Sequence, residues 1–280
     1  MEKWTFNGNC FNIKDTLECG QVFRFSFEKG GYYLFTSDKA IFCREQNEVT
    51  EFYCEKQDIP YFKNYFDLDR DYNSIYNSAI NNGGILSISA NLGKGIRILN
   101  QNSEEVLFSF IISQNNNIPR IKLIIERLCF ELGEKKTFNN REYFAFPTAK
   151  ALSNMSVEFF REVGLGYRAE YVKNLADIIA NGFNVHSLQN FSTKELKSQL
   201  INLYGVGPKV ADCVALFGFH RSDSFPVDTW LEKVYKDNFN GTLKDRKKIA
   251  EFFTEKFKDN SGYFQQYLFY YKRSLENQKK

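Results

Sequence analysis

Apolar and polar residues alternate through the first 65 positions of the chain. The alternation is clearest in four segments, 22–27, 32–35, 40–43 and 49–53. A period of two is typical of a strand with one buried face, and the pair Gly30 and Gly31 separates the first two segments as a hairpin turn does. The pattern therefore predicts an antiparallel β-sheet at the N-terminal end.

From about residue 72 the apolar period becomes helical. The run 104–112 predicts a buried helix with Ser103 as its N-cap, and 118–132 predicts another that ends at Gly133. Similar patterns predict further helices near 148–153, 156–163, 168–181, 193–203, 208–218, 228–237, 244–258 and 260–276. The predicted fold class is α+β, with an N-terminal antiparallel β-sheet domain and flanking helices over 1–98, followed by an α-helical domain over 99–280 that contains a helix-hairpin-helix motif at about 193–218.

Composition places the chain among ordinary globular proteins. It has 280 residues, of which 43% are hydrophobic and 25% charged, and its 29 Phe and 16 Tyr must lie mostly in the core. The first residues are not a signal peptide, and no apolar run approaches the roughly 20 residues needed to span a bilayer. None of the six cysteines form a C-x-x-C pair, and there are only two histidines, so we expect free thiols, no zinc site, no membrane association and a cytoplasmic location, nucleoid-associated in a bacterium.

The net charge of +3 is small, but it is unevenly distributed. Residues 1–90 carry nine Lys and Arg against thirteen Asp and Glu, whereas residues 201–280 carry fourteen against ten. A modest excess of positive charge in the second half of the chain fits an electrostatic contact with DNA.

The segment 203–213, Leu-Tyr-Gly-Val-Gly-Pro-Lys-Val-Ala-Asp-Cys, predicts a tight hairpin between two helices. Gly205 and Gly207 permit a positive φ on either side of Val206, and Pro208 suits the first turn of the second helix. Amides at a helix N-terminus bind phosphate readily, but a cation such as Lys209 is disfavoured there. The motif therefore has two interpretations: a clamp on the DNA backbone, or an amine that acts as a nucleophile.

Asp228 follows a proline and precedes an apolar-periodic run, so it is predicted to cap another helix. Capping alone would explain this residue. A lysine and a capping aspartate about twenty residues apart, joined by an apolar helix and a loop, are a rarer combination and favour the catalytic interpretation.

Three further groups of side chains have a structural and a functional interpretation. The amide side chains at 113–117, with Arg120, are typical of a loop or a cap, but they could also form hydrogen bonds with a base that has lost its partner. Gly166 would present Tyr167 and Arg168 at a loop tip. Cys213 lies one helical turn after Lys209, and Gln265 and Phe269 have the same spacing. By default Cys213 and Phe269 are core residues.

Four segments that occur in the right order resemble the helix-hairpin-helix-Gly/Pro-Asp superfamily of base-excision DNA glycosylases and, within it, the 8-oxoguanine DNA glycosylases. A fifth segment, Gln265-Gln-Tyr-Leu-Phe269, is a weaker match. The four are Cys19-Gly-Gln-Val-Phe-Arg24, Ser113-Gln-Asn-Asn-Asn-Ile-Pro-Arg120, Gly164-Leu-Gly-Tyr-Arg-Ala-Glu-Tyr-Val172 and the stretch from Leu203 to Trp230.

The resemblance implies a role for each candidate residue. Lys209 would attack the sugar C1′ while Asp228 stabilises the sugar cation. The extruded base would lie between Cys213 and Phe269, with Gln265 on its pyrimidine edge and the carbonyl of Gly20 accepting N7–H. Asn115, Arg120 and Arg168 would contact the cytosine opposite the lesion. Tyr167 would act as a wedge and fill the gap that the extruded base leaves in the stack.

The same resemblance implies a bifunctional DNA glycosylase/AP lyase that acts as a monomer on duplex DNA containing 8-oxoguanine, usually opposite cytosine. It implies no required cofactor and no catalytic metal, although the hairpin formed by Gly205, Val206 and Gly207 could hold a monovalent cation beside a DNA phosphate. With no cysteine beyond Cys213, the iron–sulfur cluster of some superfamily members is not expected.

The chain departs from the family pattern at Trp230, where eukaryotic members carry a histidine, and Pro119 lies in the loop that bears Arg120. Trp230 leaves one phosphate contact open, and Pro119 leaves open which bases the protein accepts opposite the lesion. Two alternatives also stay open: a glycosylase for another purine lesion, against which the pocket residues argue, and a non-catalytic DNA clamp.

Overall fold

A computed structural model describes residues 1–8, 10–47 and 49–277 of the chain. It begins with a five-stranded antiparallel sheet in the order β1-β5-β4-β3-β2. Each side-by-side pair in the sheet is antiparallel, with Phe25 opposite Leu34 and Phe42 opposite Tyr53, for example. The strands are β1 (Glu2–Phe6), β2 (Phe25–Glu28), β3 (Gly31–Thr36), β4 (Lys39–Gln46) and β5 (Val49–Cys54). The predicted N-terminal antiparallel sheet is confirmed.

Helices make up most of the rest of the described chain, which confirms the predicted α+β class. In the N-terminal part they are α1 (Ile13–Glu18), α2 (Ile59–Tyr65), α3 (Tyr72–Asn82) and α4 (Gly84–Leu92). The others are α5 (Ser103–Ser113), α6 (Ile118–Leu132), α7 (Ala149–Ser153), α8 (Val157–Val163), α9 (Arg168–Ala180), α10 (Thr193–Ile201), α11 (Pro208–Gly218), α12 (Thr229–Phe239), α13 (Arg246–Phe257) and α14 (Ser261–Asn277).

The apolar core is divided between the sheet and the helices. One face of the sheet packs with α1 and α2 around Phe52, Phe62 and Phe66. The larger core lies among the helices and includes residues of α3 and α4, which precede position 98; α4 packs against α14, and α3 packs against α4. The predicted domain boundary between residues 98 and 99 stays a prediction.

A buried ion pair joins the sheet to the helical part. Arg24, which follows the Cys19–Gly20–Gln21 turn, binds Glu105 of α5 at 3.1 Å and donates to the carbonyl of Phe144 at 2.6 Å. The second oxygen of Glu105 accepts the amide of Ser37 at 2.6 Å. Because both charges are satisfied by several partners, this pair fixes the sheet relative to α5.

Two predicted details were wrong. The N-cap of α5 is Asn102, whose side chain accepts the amides of Glu104 and Glu105, and Ser103 is the first helical residue. The prediction also omitted a short hairpin of β6 (Lys135–Phe138) and β7 (Arg141–Phe144). Asn139 and Asn140 connect its strands with φ values of 51° and 57°, so an Asn-Asn turn was the signal overlooked.

Gly133 ends α6 as predicted, and its φ is −82°. A Cβ at this position would lie 2.1 Å from the carbonyl oxygen of Ala145, so the close approach of the chain after β7 explains the glycine. Within the described ranges, no helix is long and apolar enough to cross a membrane, and no cluster of three His, Cys, Asp or Glu side chains could hold a metal ion.

Candidate active site

The hairpin between α10 and α11 is built around Gly205. Its φ of +85° is one that other residues rarely adopt, and a Cβ there would lie 2.3 Å from the ring of Tyr171. The amide of Val206 closes the turn on the carbonyl of Leu203 at 3.0 Å. Gly207 does not need a positive φ, contrary to the prediction: its φ is −90°, and no described atom lies within 4 Å of a Cβ built there. Its missing side chain instead leaves the outer face of the hairpin open.

Lys209 is the second residue of α11. The side chain of Asp212, further along the same helix, holds the motif in place. The buried Asp212 pairs with Lys197 of α10 at 2.6 Å and accepts the hydroxyl of Ser224 at 3.1 Å. Burial raises the pKa of the Asp212 carboxyl, against the lowering effect of Lys197. Lys209 itself is half-buried, and its Nζ lies 5.5 Å from the ring centroid of Phe110.

Asp228 caps α12, as predicted. Its Oδ1 accepts the amides of Trp230 and Leu231, both at 2.9 Å. Burial raises the pKa of the Asp228 carboxyl, while the Leu231 amide and the charge of Lys209 lower it by smaller amounts. The carboxylate is therefore oriented by two backbone amides and lies in the field of the lysine.

A cavity of about 740 Å³ brings six predicted site residues together, and they are Gly20, Lys209, Cys213, Asp228, Gln265 and Phe269. Cys213 is buried, and burial raises the pKa of its thiol to about 11, so it is neutral near pH 7. Gln265 donates its amide to the carbonyl of Pro226 at 3.2 Å. Its Oε1 is buried and has no hydrogen-bond partner among the described residues.

The Gly20 turn is held against this cavity by buried glutamines on both sides. Gln21 donates to the carbonyl of Arg97 at 2.7 Å and accepts the amide of Leu99 at 2.9 Å. Gln266 of α14 donates to the carbonyl of Cys19 at 2.9 Å. Gly20 has a φ of +94°, and a Cβ there would lie 3.3 Å from the ring of Phe269. The backbone of the turn is thus preorganised beside the Phe269 ring.

The other predicted residues lie outside this cavity and form a second group beside the hairpin. Tyr167 is 51% exposed, and Asn115 and Arg120 are also exposed. Arg120 reaches the carbonyl of Gly164 at 3.4 Å. The prediction that Gly166 presents Arg168 at a loop tip was wrong. It is buried and donates to the carbonyls of Leu165, Gln114 and Asn115, because these oxygens meet at the start of α9.

The sequence did not predict the contacts of several residues near the site, although Gln114 and Trp230 were already singled out in it. Gln114 donates to the carbonyl of Gly205 at 2.9 Å and so joins the amide-rich loop to the hairpin. Tyr171 packs edge-on between Tyr167 and Tyr204, at centroid distances of 5.8 and 5.0 Å. Arg273 of α14 lines the cavity, as does Trp230. No local pattern predicts these contacts of Gln114 and Arg273, since their partners are distant in sequence.

Comparisons with known proteins identify the family of the chain. Residues 3–107 match the family described as "8-oxoguanine DNA glycosylase, N-terminal domain", and residues 108–259 match "HhH-GPD superfamily base excision DNA repair protein". The chain is 31% identical over 258 residues to the N-glycosylase/DNA lyase of Saccharomyces cerevisiae, an alignment that covers 85% of the chain and 65% of the yeast protein. A probable N-glycosylase/DNA lyase of Methanothermobacter thermautotrophicus is 28% identical, with 67% of each chain covered.

A solved structure extends the match to nearly the whole chain. The 8-oxoguanine glycosylase/lyase of Clostridium acetobutylicum, in complex with double-stranded DNA containing cytosine opposite 8-oxoguanine, is 37% identical. It superposes with a TM-score of 0.91 and covers 95% of this chain and 93% of its own. The chain therefore belongs to the HhH-GPD superfamily of base excision DNA repair proteins, within its 8-oxoguanine DNA glycosylase family.

Proposed function

We propose that this protein removes 8-oxoguanine from duplex DNA and then cleaves the strand at the resulting abasic site. The observation that carries the proposal is that an amine and a carboxylate share one cavity, large enough for a purine, with two surfaces for a flat base: Lys209 and Asp228 lie in its wall together with Cys213 and Phe269. A base inside a duplex must leave the stack before such a cavity can receive it.

The cavity offers contacts that suit a guanine-type base. The thiol of Cys213 and the ring of Phe269 supply two apolar surfaces for a flat base. The buried Oε1 of Gln265 lacks a donor among the described residues, and the N1–H and N2–H groups of a guanine edge are donors. The carbonyl of Gly20, in the turn beside Phe269, would accept N7–H, which 8-oxoguanine carries and guanine lacks. Selection of the lesion would depend on this last contact.

The reaction needs one nucleophile and no added cofactor. The neutral amine of Lys209 forms a bond to C1′ as the C1′–N9 bond breaks, and the electron pair of that bond leaves with the base, which then takes up a proton. The carboxylate of Asp228 stabilises positive charge that develops on the sugar. Ring opening gives a Schiff base between Lys209 and C1′. Loss of a C2′ proton then breaks the C3′–O bond and cuts the strand.

The second group of residues would hold the DNA open. Tyr167 is exposed beside the hairpin and would fill the gap left by the base, while Asn115 and Arg120 would contact the opposite cytosine. Arg168 could reach that cytosine only after leaving its carbonyl partners, so in the unbound protein it orders the loop. The hairpin Gly205–Val206–Gly207 would bind a DNA phosphate and could hold a monovalent cation beside it, and we propose that the protein acts as a monomer.

Borohydride trapping tests the proposal directly. The protein is mixed with a duplex containing one 8-oxoguanine opposite cytosine, with an unmodified duplex as a control. We expect a covalent adduct only with the lesion, and we expect Lys209→Gln to abolish it while DNA binding is retained. Base release without any adduct would assign the attack to water. Tight binding without base release would contradict the proposal and favour a clamp.

A further inference from the structure

Arg273 is a charged residue in the wall of the cavity for which the steps above provide no role. It lies on α14, two turns after Gln265 and one turn after Phe269, so the three side chains share one face of the helix. A guanidinium in a base pocket is costly unless its donors are satisfied, because each unpaired buried donor loses its hydrogen bond to water.

One half of this guanidinium has a partner and the other half does not. Nη2 donates to the carbonyl of Glu18, at the end of α1. Nη1 is buried and has no acceptor within the described part of the chain. The structure thus fixes the side chain through one nitrogen and leaves the second nitrogen with its hydrogen-bonding capacity unused.

The unpaired nitrogen lies where the N7 edge of the base would be placed. Nη1 is 3.1 Å from a Cβ built on Gly20, and the edge of the Phe269 ring is 3.3 Å from the same point. The guanidinium carbon lies 5.9 Å from the centroid of that ring. Gly20, Phe269 and Nη1 therefore meet at one corner of the cavity, at the turn whose carbonyl would accept N7–H.

We propose that Arg273 Nη1 donates a hydrogen bond to one of the two carbonyl oxygens that flank N7 of the extruded base, O6 or O8. This inference rests on the proposed function and adds a residue to it. When the C1′–N9 bond breaks, the electron pair stays on the base, and its negative charge is shared with these oxygens. A fixed cation beside them stabilises the departing base more than the intact nucleotide, and thereby lowers the barrier.

The test compares oxygen with sulfur at each position. Duplexes carry 8-oxoguanine or its analogues with sulfur in place of O6 or of O8, since sulfur keeps the shape of the base but accepts hydrogen bonds weakly. Single-turnover excision is measured for the wild type and for Arg273→Met. We expect Arg273→Met to slow excision of 8-oxoguanine about ten- to a hundredfold, the range for a hydrogen bond to a charged group.

The decisive quantity is the excision rate of the oxygen substrate divided by that of the sulfur substrate, measured with the same protein. Partial unfolding lowers both rates equally and so does not change this ratio. In the wild type the ratio should be large for one of the two oxygens, and in Arg273→Met it should fall to near one for that oxygen. Lys272→Met, which removes a positive charge from the adjacent position of α14, should retain the wild-type ratio. Should Arg273→Met fail to fold, the ratio of oxygen to sulfur excision rates is measured in Arg273→Lys instead, which retains the positive charge.

Two results would separate this inference from the function on which it rests. If the wild type does not excise 8-oxoguanine at all, the proposed function fails. If the wild type excises it but both ratios are the same in Arg273→Met as in the wild type, only the contact is wrong. In that case Arg273 serves to anchor α14 to α1 through Glu18.

Discussion

Lys209 and Asp228 line the same cavity although each belongs to the N-terminal end of a different helix. Lys209 is in the first turn of α11, where a helix disfavours a cation, whereas Asp228 caps α12, where a helix favours an anion. The two ends are fixed relative to each other by Asp212, which binds Lys197 and Ser224 from separate segments. The proposed nucleophile and the proposed carboxylate therefore depend on packing outside the cavity.

The two glycines of the hairpin should respond differently to alanine. Gly205→Ala places a methyl group against the Tyr171 ring at a positive φ, so we expect a loss of about 1–3 kcal/mol in the free energy of unfolding. Gly207→Ala meets no described atom and has an ordinary φ, so its stability should match the wild type while its affinity for DNA falls. Urea denaturation and DNA titration measure both quantities. Equal destabilisation by the two variants would contradict this account.

The sequence predicted those parts of the site whose signals are local. The hairpin and the cap at Asp228 depend on a few neighbouring residues, and the i, i+4 spacing of Gln265 and Phe269 places both on one helix face. Such patterns show which side chains an element carries and in which direction they point. They were sufficient to predict the class of fold, the hairpin and the cap, whereas the pocket roles of Gly20, Cys213, Gln265 and Phe269 were implied by the family resemblance.

The errors about charged side chains involve contacts between residues far apart in the chain. Arg168 follows the exposed Tyr167, and nothing nearby indicates that carbonyls 53 and 54 residues earlier will bury it. Nothing in the sequence distinguishes Arg273 from a surface residue near the end of a helix, because its partner Glu18 belongs to α1. Long-range packing determines whether a charged side chain is free to bind DNA, and a single sequence does not encode that packing in any local pattern.

Tyr167 should matter for extrusion of the base and not for folding. Tyr167 is 51% exposed and its ring touches Tyr171 edge-on, so Tyr167→Ala should change the unfolding free energy by no more than about 0.5 kcal/mol. We expect slower base extrusion, measured by the fluorescence of 2-aminopurine next to the lesion. Phe27→Ala removes an exposed aromatic ring from the sheet and serves as the control. Unchanged extrusion kinetics in Tyr167→Ala would exclude the wedge role.

The Arg24–Glu105 pair should contribute strongly to stability because it is buried. Glu105→Gln leaves the charge of Arg24 without its counterion, and we expect a loss of about 3–5 kcal/mol in the free energy of unfolding. The surface pair of Arg161 and Glu170, at 2.9 Å, provides the comparison, since Glu170→Gln should cost at most about 1 kcal/mol. Guanidinium denaturation gives both values. Similar losses for the two variants would show that the buried pair is not a specific link between sheet and helices.

Asp228→Asn should separate the catalytic role of this residue from its structural role. Asparagine caps a helix as well as aspartate does, so α12 should persist, while loss of the carboxylate should slow base release by about 10²- to 10³-fold. Burial raises the pKa of the Asp228 carboxyl above its ordinary 3.8, so ionisation is less favourable in the folded protein than in the unfolded chain. At neutral pH the charge therefore destabilises the fold, and Asp228→Asn should raise Tm.

That gain in Tm should shrink as the pH falls through the folded pKa and vanish below 3.8, where the carboxyl is protonated in both states. As the pH is lowered, wild-type activity should likewise fall with a midpoint above the ordinary carboxyl pKa. Asp245→Asn is the matched control, since Asp245 caps α13 at an exposed position and accepts the amide of Lys247 at 2.8 Å. It should show neither the pH-dependent gain nor the loss of activity. A lower Tm for Asp228→Asn at neutral pH would mean that attraction to Lys209 outweighs the effect of burial.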